Sequence, residues 1–197
     1  KPGAYSWTKA PRYDGKVYEV GPIARVATTY ASGDPVMKKL VDDSLAALKA
    51  TPDALFSVLG RHLARALSAK YIVDQLEGWA LSLKPGEPAY KEYELPEEAR
   101  GMGIIEGSRG ALGHWIEIKE GRIANYQAVV PTTWNVSPMD DNDQHGPVEQ
   151  ALIGAAVKDE ANPFEIVRII RAFDPCLACS IHVVTPKGRD LGKFRVV

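Results

Sequence analysis

Thr51-Pro52-Asp53-Ala54-Leu55 opens a stretch that runs without a break to Leu83, and its reading settles most of the fold. Leu55, Val58, Leu59, Leu63, Ala66, Leu67, Ile72, Leu76, Trp79 and Leu83 recur close to the helical period of about 3.6 residues. Thr51-Pro52 supplies a start signal, a capping hydroxyl followed by a proline at the first helical position. Lys84-Pro85-Gly86-Glu87-Pro88 ends the run. The pattern predicts one long helix that buries Leu55, Leu59, Leu63, Leu67, Ile72 and Leu76. His62 falls on the same stripe and is expected to be a hydrogen-bonded core histidine.

Working outward, Asp34-Pro35 repeats the start signal and predicts a helix to about Lys49, with Asp34 as its cap. The first 33 residues, broken at Pro2-Gly3 and Gly21-Pro22, read as extended or looped chain with one short hairpin across Asp14-Gly15. Downstream the texture changes. Trp115-Ile116-Glu117-Ile118-Lys119 alternates, Glu120-Gly121 can turn, and Ile123 to Val130 returns as a second strand, so a small antiparallel element is expected around residues 111–130. A loop follows from Pro131 to His145. Helices are expected from Gly146-Pro147 and from Asn162-Pro163, with Asn162 as a cap, the second ending by Phe173-Asp174-Pro175 because proline disfavours helix in the residue before it. Val183 to Val197 is basic and irregular, with a short β-like end at Phe194 to Val197. The fold class is therefore mainly α with a small antiparallel β element, α+β in outline.

The 197 residues make one large domain or two small ones. With 45% apolar and 25% charged residues the chain is an ordinary globular one. A net charge of -1 creates no global field for nucleic acid or an anionic membrane. No apolar run approaches the ~20 residues of a membrane span, and no signal-like segment opens the chain. The chain begins with Lys1 rather than Met, which leads one to expect a processed chain or a piece of a longer one.

Two cysteines exclude a disulfide scaffold, yet they carry the chemistry. Asp174-Pro175-Cys176-Leu177-Ala178-Cys179-Ser180-Ile181-His182 places two thiols and an imidazole within seven residues. A thiolate pair at this spacing can chelate one soft or borderline metal, with His or carboxylate completing the site. A redox reading would require a thioredoxin-like βαβ context, which is absent. A structural zinc site would need two more paired ligands, and His62, His114 and His145 are scattered and single. The bland alternative is two reduced, buried cysteines serving as small hydrophobes.

Five segments in order narrow this choice: Tyr5 to Pro22 (YSWTKAPRYDGKVYEVGP), Glu106 to Trp115 (EGSRGALGHW), Tyr126 to Asn135 (YQAVVPTTWN), Gly146 to Leu152 (GPVEQAL) and Arg171 to His182 (RAFDPCLACSIH). Through them nearly the whole chain resembles the C-terminal portion of the large, catalytic subunit of nickel-iron hydrogenases. The resemblance implies the multihelical fold of that subunit and reversible heterolytic cleavage of H2 to protons and electrons.

It also implies roles for individual residues. Cys176 would be a terminal nickel ligand, able to take a proton as H2 splits, and Cys179 would bridge nickel to an iron carrying carbonyl and cyanide. Soft thiolates suit variable nickel oxidation states and can bridge two metals. Arg109 would overhang the diatomic ligands, its guanidinium donating to them, and Asp174 would orient Arg109. Thr132, after Pro131, would donate its hydroxyl to a cyanide. His182 and the backbone carbonyl of Ala128 would hold a magnesium ion. Plainer readings make Arg109 a surface turn residue and Thr132 a turn residue. His114 is expected to pack with Trp115, and Arg12 and Glu19 to brace the fold.

Two departures stand out. Gly107-Ser108 replaces the Ala-Pro that the family usually sets before the arginine, so a flexible polar pair is expected beside the diatomic ligands. The family's N-terminal C-x-x-C and its accompanying glutamates are missing, so either the subunit is longer than this chain or another chain supplies the first pair. The chain alone is then expected to be inactive and metal-free or only partly loaded.

Further partners follow from the same resemblance: an iron-sulfur small subunit as electron acceptor, nickel-insertion proteins, and an endopeptidase that cleaves after the residue matching His182. On that reading residues 1–182 are the subunit portion and 183–197 an extension normally removed on maturation. Localisation would be membrane-associated or periplasmic through the small subunit, and cytoplasmic while immature. The alternatives are a non-catalytic structural or assembly relative, or a zinc- or iron-binding module using Cys176, Cys179 and His182.

Overall fold

The computed structural model describes residues 2–176, 180–184, 187–188 and 190–195, with only the backbone described at 180–183, 191, 194 and 195. Cys179 lies outside the described residues, and so does the side chain of His182.

Three helices build the core. The first, α1 (Pro22–Ala31), occupies a segment expected to be looped. Gly21-Pro22 is a helix start rather than a break, because Gly21 sits at φ 118° as the cap and Pro22 takes the first position. In α2 (Pro35–Leu48) the Asp34 carboxylate accepts the Met37 amide at 2.7 Å, as the sequence predicts. Lys49 ends it in the left-handed conformation. Pro52–Phe56 forms a short 3-10 turn and α3 (Val58–Ser82) follows, capped by the Ser57 hydroxyl rather than by Thr51.

Ile23 and Val26 of α1 meet Met37, Val41 and Leu45 of α2 with Leu55, Ala64 and Leu67 in one buried cluster. Fully burying each larger side chain contributes roughly 1.5–3 kcal/mol.

The buried face of α3 differs from the leucine stripe. It runs through Gly60, Ala64, Leu67 and Ser68. A Cβ on Gly60 would stand 2.1 Å from the Ala54 carbonyl oxygen, so small residues let α3 settle against the preceding turn. Leu55 and Leu67 are buried as expected and Leu63 is half-buried, whereas Leu59, Ile72 and Leu76 are exposed, at 69%, 40% and 50%. The C-terminal half of α3 has little to pack against.

A three-stranded antiparallel sheet, in the order β1 (Ala99–Gly107), β2 (Gly110–Lys119), β3 (Arg122–Val129), extends the expected hairpin by one strand. Glu120 and Gly121 turn between β2 and β3 with φ 51° and 65°, the paired left-handed values of a two-residue hairpin. Asp14 and Gly15 do the same at φ 50° and 69° inside the single Tyr13–Lys16 bridge. β1 and β3 are exposed on both faces along most of their length.

The chain then forms α4 (Pro131–Asn135), α5 (Pro147–Leu152) and α6 (Phe164–Ala172). The loop expected from Pro131 thus contains a short helix, and α6 is capped at Pro163 without a side-chain bond rather than by Asn162. Towards the C-terminus β4 (Ser180–Val184) pairs antiparallel with β5 (Asp190–Arg195), which takes in the start of the β-like end expected from Phe194 and begins earlier, where irregular chain was expected.

Candidate metal centre

Arg109 stands in the two-residue turn between β1 and β2, closed by the Gly107–Gly110 pair. Two contacts hold that turn in place. A Cβ on Gly110 would lie 2.5 Å from the Gly21 nitrogen, so the turn backbone is pressed against the start of α1 where no side chain fits. Arg25 of α1 then grips it with a fork. Its Nη1 donates to the Gly107 carbonyl at 2.7 Å and to Glu106 Oε1 at 2.7 Å, and its Nη2 donates to the Ser108 carbonyl at 2.9 Å. Nε reaches Ser68 Oγ on α3 at 3.2 Å. Gly107-Ser108 is therefore a pinned turn, not the flexible pair expected, because its carbonyls are taken by one guanidinium. Ser108 itself is exposed.

Asp174 follows α6 in the left-handed region, at φ 51°. Proline at 175 cannot continue the helix, and a short polar residue tolerates this conformation better than most. The turn aims the carboxylate between two arginines. Arg109 Nη2 is 3.6 Å from Oδ1, and Arg65 Nε, from α3, is 3.4 Å from Oδ2. The expected Arg109–Asp174 pair is thus present, and Arg65 is an addition that sequence reasoning missed. A single cation among leucines gives no sequence signal of a partner more than a hundred residues away.

Two residues on, Cys176 is exposed, which removes the reading of a buried hydrophobic thiol for this residue. Its Sγ is 3.2 Å from Thr132 Oγ1, in the first turn of α4. Pro131 opens α4 directly after β3, so the strand that carries Ala128 delivers Thr132 to the cysteine. Ala128 itself lies opposite His114 in the sheet.

The other histidines are placed differently from expectation. His62 is exposed, and its Nδ1 accepts from Arg65 Nη1 at 3.1 Å rather than sitting in the core. His114 faces away from Trp115, since neighbours on a strand point to opposite sides, and contacts the Tyr126 hydroxyl at 2.6 Å.

The expected braces are both present. Glu19 takes Arg61 in a two-pronged pair, 2.7 Å at each contact, while the guanidinium stacks 4.2 Å over Phe173 at the end of α6. Arg12 binds Asp140 at 2.6 Å and donates to the carbonyls of Pro138 and Gln144. Desolvation pushes Asp140 upward, but the Arg12 hydrogen bond and the amides of Gln144 and Asn142 outweigh it and hold the carboxyl below its ordinary range.

Among the described residues no three His, Cys, Asp or Glu side chains converge as a metal site. The donor chemistry fits one corner of a larger thiolate centre. It offers an exposed thiol, a hydroxyl against it, and a carboxylate–guanidinium pair two residues back.

The family model for nickel-dependent hydrogenases matches residues 1–182. The uptake hydrogenase large subunit of Bradyrhizobium diazoefficiens is 44% identical over 98% of this chain and 34% of its own length. The quinone-reactive Ni/Fe-hydrogenase large chain of Wolinella succinogenes is 42% identical over 98% of this chain and 35% of its own. The [NiFeSe] hydrogenase of Desulfovibrio vulgaris Hildenborough superimposes with a TM-score of 0.77 at 43% identity, over 89% of this chain and 38% of that one. The chain thus spans about a third of the length of the curated relatives it matches.

Proposed function

The chain belongs to the nickel-dependent hydrogenase family, and from that premise we propose that it forms the part of a hydrogenase large subunit carrying the second thiolate pair, Cys176 and Cys179, for reversible H2 cleavage. The observation that carries this is the meeting of Cys176, Thr132, Asp174 and Arg109 from three separate parts of the chain. A nickel-iron centre, with carbonyl and cyanide on its iron, supplies the redox metals at which H2 yields two protons and two electrons.

Around it the residues of this chain have distinct tasks. Cys176 and Cys179 would hold the metal, and the exposed Cys176 Sγ would be able to take one of the two protons from H2. Arg109 would offer N–H donors and positive charge to a group held there, where preorganised donors are worth most. Asp174 restrains its swing, and the Thr132 hydroxyl, beside Cys176 Sγ, would donate to a cyanide. His182 and the Ala128 carbonyl hold a magnesium ion that steadies the C-terminal end of the site.

The remainder of the large subunit supplies the other C-x-x-C. Electrons leave to an iron-sulfur small subunit, since two cysteines are too few for clusters here. Residues 183–197 are an extension removed during maturation, a reading supported by the family match ending at residue 182. A [NiFeSe] relative from Desulfomicrobium baculatum is named as periplasmic, and among the described residues no helix is long and apolar enough to cross a membrane. The relative's name suits a membrane-associated or periplasmic location through the small subunit, after assembly in the cytoplasm with nickel-insertion proteins and an endopeptidase.

The test is elemental analysis, infrared spectroscopy and intact mass on the purified native enzyme. Nickel, iron and carbonyl and cyanide stretches, all lost in Cys176→Ser and in Cys179→Ser, are the expected result. Zinc alone, retained in those variants or not, overturns it.

A further inference from the structure

Asp174 has two carboxylate oxygens and two arginine partners, one to each. Arg109 arrives from the β1–β2 turn and meets Oδ1. Arg65 arrives from α3 and meets Oδ2. Arg65 is itself firmly held: Nη2 donates to the Ala172 carbonyl, the last of α6, at 2.9 Å, and Nη1 donates to His62 Nδ1 at 3.1 Å. One guanidinium therefore fixes both the end of α6 and the side chain that follows it, across the left-handed turn at Asp174.

The fit is incomplete. Neither Arg65 Nε nor Arg109 Nε has a hydrogen-bond partner, although both atoms are buried. Arg65 Nε and Arg109 Nη2 therefore share one carboxylate, at 3.4 and 3.6 Å, beyond good hydrogen-bond distance, and the buried Arg109 Nε is left without an acceptor. We infer that Arg65 is a positioning residue for the proposed reaction, restraining Asp174 so that it offers Arg109 a single oxygen and leaves that guanidinium directed at the metals.

Without Arg65, the carboxylate is free to rotate and take Arg109 with both oxygens, the geometry an arginine–carboxylate pair prefers. Arg109 is then drawn away from the reacting site. The inference rests on the functional reading above, and the two fail in different ways.

The test uses the assembled holoenzyme with Arg65→Met, Arg65→Lys, Asp174→Asn and the Arg65→Met/Asp174→Asn pair. Arg65→Met is expected to retain nickel and iron, lower kcat about tenfold and leave KM for H2 within about twofold, as misplacement of a transition-state group does. Arg65→Lys restores the charge without the fork and recovers part of the loss. In the Asp174→Asn background Arg65→Met has less than about a twofold effect, since the residue acts through Asp174.

A second readout needs no turnover. Hydrogen exchange across residues 171–176 quickens in Arg65→Met, and the carbonyl and cyanide stretches shift in the same direction as in Asp174→Asn. Equal fold-losses in both backgrounds, or unshifted infrared bands, overturn the inference. A wild-type enzyme with no nickel overturns the functional reading instead, and exchange across 171–176 still decides whether Arg65 governs Asp174.

Discussion

The two halves of α3 make opposite bargains with their surroundings. From Gly60 to Ser68 the helix is buried by small residues, and its cations are spent on distant partners: Arg61 on Glu19, Arg65 on Asp174 and Ala172. From Ile72 to Leu83 it carries large apolar side chains with little to cover them, Trp79 half exposed and Leu81 at 79%. Monomeric surfaces rarely leave such a patch uncovered. The first half supports the candidate site, and the second leaves an apolar face uncovered in this chain. The apolar period runs through both halves of one continuous helix, and only the first half finds partners that bury part of it.

The sharpest way to probe the comparison is at the site the first half supports. Cys176→Ser in the assembled enzyme is expected to lose nickel and activity outright, read by elemental analysis. Arg109→Lys is expected to keep nickel but lower kcat about a hundredfold, since an ammonium lacks the fork and reach of guanidinium.

Next come the braces. Arg61→Leu leaves Glu19 without its partner in a mostly buried pair and should cost about 3 kcal/mol, lowering Tm by about 6–12 °C in thermal melts. The Arg12–Asp140 contact should appear in pH dependence. Asp140 is held below its usual range in the folded chain, so its stabilisation is complete above the unfolded carboxyl pKa of about 3.9 and fades as pH falls through the lower folded value. Asp140→Asn should remove that component of acid sensitivity, measured by denaturant melts at several pH values. Smallest of all, Leu81→Glu should change the stability of the chain itself by no more than about 0.5 kcal/mol, yet weaken assembly with the rest of the enzyme. An equal loss from Leu81→Glu and Arg61→Leu would erase the distinction between the halves.

Much of the architecture was legible wherever local signals agreed with tertiary packing. Asp34 caps α2 as its spacing implies, and Glu120-Gly121 turns as its residue types allow. Where the reading failed, a local signal was ambiguous or outvoted. Gly21-Pro22 serves equally as a break and as a helix start. The antiparallel element was expected only around residues 111–130, and β1 before it carries Gly101 and Gly103, which weaken a strand signal without forbidding the strand. The leucines of α3 promised burial, but close approach at Gly60 and Ala64 rotated the buried face toward smaller residues.

The candidate site divides in the same way. Cys176, Asp174, Arg109 and Thr132 sit in short motifs whose chemistry is local, and the structure draws them together. Arg25 and Arg65 are lone cations in helical stretches, and only tertiary contact reveals what they hold.

Arg25 seizes Gly107 and Ser108 by their carbonyls, which every amino acid possesses, and draws a side chain only from Glu106 just before them. The position of Arg109 is thereby made independent of the identity of residue 108. Substitution there would alter polarity and bulk beside Arg109 while leaving the carbonyl grip of Arg25 in place. Residue 108 is thus a position where side-chain chemistry can change at little cost to the scaffold, and serine is the side chain found here.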